Sequence, residues 1–70
     1  MATSYIIVDY MLNEMVAELM RNLRMDYREA LETVVASKTY KQLLEDEDLQ
    51  QEGPLFIIEL LHKEIEAKNG

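Results

Sequence analysis

The chain has 70 residues, with 14 Asp and Glu against seven Lys and Arg, one histidine and no cysteine, for a formal charge of -7. Without thiols there is neither a disulfide framework nor a thiolate metal site, and a lone histidine all but excludes a zinc cage. The negative charge repels phosphate backbones and anionic lipid surfaces, so binding to nucleic acid alone or to a membrane is disfavoured.

One domain, residues 1–70, is expected at this length. A domain this small buries only about 60% of the surface its unfolded chain exposes. Oligomerisation or a partner is the expected help. The opening MATS has no basic region, and the apolar stretch after it carries Asp9, Asn13, Glu14 and Glu18, so neither a signal peptide nor a membrane span is expected. A cytoplasmic location follows as the expectation. The acidity belongs to the middle of the chain: residues 29–59 hold eight acids and two bases, whereas residues 1–28 hold four and three.

With two glycines, one proline and no alternating β-branched run, the fold class is all-α, a compact bundle of four helices with the third short. The first helix, residues 4–23, carries Val8, Met11, Leu12, Met15, Val16, Leu19, Met20 and Leu23 at helical spacing. Asn13, Glu14, Ala17, Glu18 and Arg21 take the opposite side. Ile6, Ile7 and Tyr10 project away from the apolar face, and two readings are open: later helices fold over them, or another chain does. Three of the five methionines lie on the apolar face, where a flexible thioether suits a core or an adaptable docking surface.

Asp26, followed three residues later by Glu29, has the spacing of a capping box and starts the second helix, residues 26–36, with Tyr27, Ala30, Leu31, Val34 and Val35 inward. Ser37 or Thr39 caps the third, residues 38–47, which turns Tyr40, Leu43 and Leu44 inward. Gly53-Pro54 opens the last helix, residues 54–68, since proline suits a first helical turn. Ile57, Ile58, Leu61 and Ile65 form its core face, flanked by Leu55, Phe56 and Leu60. Glu59–Lys63 and Glu64–Lys68 have the order that favours ion pairing along a helix.

The run Glu45-Asp46-Glu47-Asp48 invites a calcium-loop reading, which fails. Counting from Asp46, the sixth position is Gln51 where a glycine is needed, and the twelfth is Ile57 where a bidentate glutamate is needed. The run reads instead as a solvated helix end that opposes the helix dipole, or as an acidic edge for a basic partner surface. Glu59-Leu60-Leu61-His62 has metal-ligand spacing, but a di-iron bundle needs a second such motif and the chain has no second histidine. Ser4 and Ser37 sit where caps are expected, and no nucleophile has a visible base. Arg21, Arg24 and Arg28 are read as balancing Glu18, Asp26 and Glu32, or as a site for an anion or an acidic partner. No catalytic, cofactor-binding or metal-binding residue is assigned.

Ser37-Lys38-Thr39-Tyr40-Lys41-Gln42-Leu43, the acidic connector and Phe56-Ile57-Ile58-Glu59-Leu60-Leu61 carry a resemblance. Over residues 26–66 the chain resembles small bacterial all-helical proteins of unknown function, in which a serine-x-x-tyrosine-x-x-leucine segment precedes an acidic connector and an aromatic-led last helix. Some of these are encoded beside toxins with an ADP-ribosyltransferase-like fold. The resemblance implies a partner-binding, antitoxin-like role and brings no catalytic residue. The sequence expectation is therefore a protein-interaction module that uses Ile6, Ile7 and Tyr10 for apolar contact and Glu45, Asp46 and Asp48 for electrostatic steering. The alternative is a homo-oligomeric structural protein, expected as a homodimer, with no other partner.

Overall fold

Five helices follow one another along residues 5–69, the part of the chain described by the computed structural model: α1 (Tyr5–Asn22), α2 (Tyr27–Ala36), α3 (Lys38–Glu45), α4 (Glu47–Gln50) and α5 (Pro54–Asn69). No strand occurs among the described residues, so the all-α class stands. Ser4 lies outside the described residues. The expected third helix is divided, because Asp46 leaves the helical conformation and caps a separate turn, α4.

Each boundary has a local cause. Asp26 accepts the Glu29 N–H at 2.8 Å and so starts α2. Ser37 ends α2 and starts α3: its hydroxyl donates to the Val34 carbonyl at 2.6 Å and accepts the Tyr40 N–H at 3.1 Å. α1 stops where Arg24 adopts φ +56°, which lets the Met25 N–H turn back toward the Leu19 carbonyl at 3.4 Å. Gly53, at φ +92°, makes the reversal that aims Pro54 into α5.

Met11, Met15, Val16 and Leu19 of α1, Ala30 and Val34 of α2, Leu43 of α3, and Ile57 and Leu61 of α5 form the core. α1 packs against α2 and α5, as the long central element should. Its buried sector is nevertheless narrower than its apolar face, and Met20 and Leu23 are exposed. α5 lies along the Glu18 side of α1, so the buried sector is turned that way and the opposite flank is left uncovered. Tyr27 and Val35 at the rim of α2 are exposed for the same reason: ten residues of helix meet their neighbours through Ala30 and Val34.

Candidate interaction surface

Ile6 is 84% exposed and Tyr10 54%, with Tyr5 and Ile7 exposed beside them. The later helices bury Val8 but leave Ile6, Ile7 and Tyr10 uncovered among the described residues, which corrects the first of the two readings. Leu55 joins them at 80% exposure, and Phe56 beside it is exposed as well, although both were expected on the flank of the core.

Helix direction explains why these residues share one end of the molecule. Glu18, late in α1, meets His62 in the middle of α5. Just past α1, Met25 lines a small cleft with Ile65, further along α5. The two helices therefore run parallel, and their first turns lie at the same end. Leu55 precedes His62 by seven residues and occupies the same stripe of α5, while Ile7, Met11, Glu14 and Glu18 occupy one stripe of α1. Ile7 and Leu55 accordingly border the α1–α5 seam beyond the point where burial ceases.

The acidic turn returns to that end. Glu64 caps the start of α3, while the far end of α3 leads through α4 into Pro54, so α3 runs opposite to α5. Glu45, Asp46 and Asp48 are exposed and line an open depression with Gln42 and Leu49. This segment is more than a solvated connector. The Asp46 carboxylate accepts the N–H groups of Asp48 at 3.0 Å and Leu49 at 3.2 Å. With Glu47 and Asp48 in the first turn of α4, part of the acidic run complements a helix dipole instead of opposing one. Gln50 is buried and its side-chain amide donates to the Leu43 carbonyl at 2.9 Å, tying the turn to the end of α3.

Two polar contacts hold α5 in place. His62 Nε2 lies 3.0 Å from Glu18 Oε2, with the side chains 30% and 16% exposed respectively. The Asn22 amide also donates to Glu18, and Arg21 lies 3.6 Å from it. The hydrogen bond from His62 lowers the Glu18 pKa below its ordinary value; burial opposes this, and Asn22 and Arg21 assist it. Glu64 accepts from the Lys38 N–H at 2.8 Å, the Thr39 N–H at 2.9 Å and the Thr39 hydroxyl at 2.8 Å, and pairs with Lys68 at 3.5 Å. Burial on its own would raise its pKa, but these donors outweigh it and the net direction is downward.

Glu18 is thus a half-buried anchor and not part of the solvated side to which its position had assigned it. His62 is engaged by Glu18, while Glu59, its E-x-x-H companion, is exposed. Among the described residues no three His, Asp or Glu side chains converge as metal ligands would. No helix among them is long and apolar enough to cross a membrane.

Of the residues singled out from sequence, Ile6, Ile7 and Tyr10 form one surface and Glu45, Asp46 and Asp48 another at the same end. Leu55 is the member that sequence reasoning missed, and its seven-residue spacing from His62 was the signal that could have found it. No family model, no curated protein and no solved structure matches the chain.

Proposed function

We propose that this protein is a non-catalytic interaction module that docks a partner protein on the first turns of α1 and α5. The observation that carries this reading is the exposure of Ile6, Ile7 and Tyr10 in the first turns of α1 and of Leu55 in the first turn of α5, on two helices whose other faces are buried. Grouped apolar side chains at a surface mark interaction sites, and a tyrosine among them offers contact area together with a polar tip. Glu45 and Asp48 at the same end attract a basic surface, which accelerates encounter more than it tightens the complex. The resemblance of residues 26–66 to proteins encoded beside ADP-ribosyltransferase-like toxins makes such a toxin one candidate partner and the role antitoxin-like.

The test is capture from native cell extract on the tagged protein, with the mass of the eluted complex measured under native conditions. A stoichiometric partner held by the wild type and lost from Ile6→Ser/Tyr10→Ser is the expected result. A partner held equally by both proteins would move the docking site elsewhere. A homodimeric structural module is the second reading, favoured by the smallness of the core, and a Tm that rises with protein concentration would identify it.

A further inference from the structure

The end of the molecule that exposes Ile6, Ile7, Tyr10 and Leu55 has no lysine or arginine among the described residues. Residues 5–12 and 42–59, which build it, hold seven Asp and Glu and no Lys or Arg. All seven Lys and Arg fall within residues 21–41 and 63–68, at the end of α1, in the connector after it, on α2, on the earlier part of α3 and on the last turns of α5. Among the charged groups bordering the apolar surface, Asp9 and Glu59 are exposed and Glu14 is half-buried. The arrangement selects among occupants. Two copies meeting end to end would set the exposed carboxylates of Asp9, Glu45, Asp46, Asp48, Glu52 and Glu59 against the same groups of the other copy, a repulsion that acts over a screening length of about 10 Å at ordinary salt. A copy meeting this end through its own cation-bearing end would make a heterologous contact, which propagates into a filament unless its rotation closes.

We infer, on the premise that this end is the docking site, that its occupant is a cationic amphipathic helix of another protein and not a second copy of this chain. The apolar side of such a helix covers Ile6, Ile7, Tyr10 and Leu55, the mode in which an amphipathic helix lays its apolar face on a partner. Its flanking Lys or Arg side chains lie against Glu45, Asp48 and Glu59. The anchors give the contact its apolar burial, and the carboxylates reject neutral and acidic helices that have the same apolar face.

Two labelled synthetic helical peptides with one shared Leu/Ile face, flanked by Lys and Arg in one and by Glu in the other, provide the test by fluorescence anisotropy against the full chain. The cationic peptide is expected to bind at least about tenfold more tightly at about 50 mM NaCl and to lose most of that advantage at about 300 mM. Glu45→Gln/Asp48→Asn/Glu59→Gln should weaken only the cationic peptide. Ile6→Ser/Tyr10→Ser and, separately, Leu55→Ser should abolish its binding while leaving the circular dichroism melt in place. Equal binding of both peptides, lost in the apolar variants, would overturn the cationic preference and leave the docking site standing. Cationic binding that survives both apolar variants would overturn the docking site itself. Failure of both peptides to bind, or sedimentation showing a dimer that Ile6→Ser/Tyr10→Ser dissolves, would overturn the inference in favour of another occupant or a second copy.

Discussion

Glu64 accepts the N–H of Thr39 at 2.9 Å and its hydroxyl at 2.8 Å, so the first turn of α3 is capped from a helix 25 residues away in sequence. The carboxylate also faces the positive end of the α3 dipole. Replacing it with alanine strips acceptors from Lys38 and Thr39 in a part-buried place. Glu64→Ala is therefore expected to cost about 2 kcal/mol, or roughly 10 °C in Tm for a domain of this size. Glu64→Gln keeps one acceptor oxygen and should lose about half as much. A thermal melt by circular dichroism decides, and an alanine variant within about 0.5 kcal/mol of wild type would show that the cap is dispensable.

The same residue and Glu18 set the acid side of the stability profile. Both are lowered, Glu64 by its donors against burial and Glu18 chiefly by His62. A folded pKa below the unfolded one means that the unfolded chain binds more protons in that range. The contribution is complete above the ordinary glutamate range and is lost as pH falls through the lowered folded values. Acid also relieves the self-repulsion of a -7 chain, which acts in the opposite sense, so the informative quantity is a difference between proteins. The Tm gap between wild type and Glu64→Gln should narrow steadily as pH falls through this range. A gap that is constant with pH would mean that Glu64 is not held below its ordinary value.

What the sequence made legible was local. Asp26 and Ser37 act on N–H groups three residues ahead, and Gly53-Pro54 marks its own turn, so each could be read in place. What escaped was set by packing between distant segments. Nothing near Glu64 announces that it caps α3, and its spacing to Lys68 suggested only an ion pair. Glu18 looked outward because the apolar face of α1 was drawn without knowing that α5 would run parallel along its edge. Leu55 and Met20 are as apolar as their buried neighbours, and their exposure follows from where α5 begins and on which flank it lies. Asp46 was legible in principle, since an aspartate followed by acidic residues is a helix-start signal, but the continuous run concealed the break.

Two backbone positions predict stability changes of opposite sign. Arg24 sits at φ +56°, where a side chain is strained, and Arg24→Gly should stabilise the protein by about 1 kcal/mol. Gly53 sits at φ +92° with open space where a Cβ would project, so the cost of Gly53→Ala is backbone strain without a clash, about 1 kcal/mol of destabilisation. Chemical denaturation gives both values. A neutral Arg24→Gly variant would mean that the turn after α1 relaxes without strain.

Asp46 carries two roles that must be separated before any test of electrostatic steering is read. Its carboxylate caps α4 through Asp48 and Leu49, so reversing its charge removes a structural bond as well as a charge. Asparagine caps about as well as aspartate, whereas alanine does not. Asp46→Asn should leave stability within about 0.5 kcal/mol of wild type, and Asp46→Ala should cost about 1 kcal/mol. The loss should appear as faster amide exchange at Leu49 and Gln50, because Asp46 caps the start of this single turn. Partner association rates should fall by similar factors in Asp46→Asn and in Glu45→Gln, because each removes one charge from the same edge without loosening the turn. A fall in Asp46→Ala alone would assign Asp46 to the architecture of the acidic turn and leave the steering to Glu45 and Asp48.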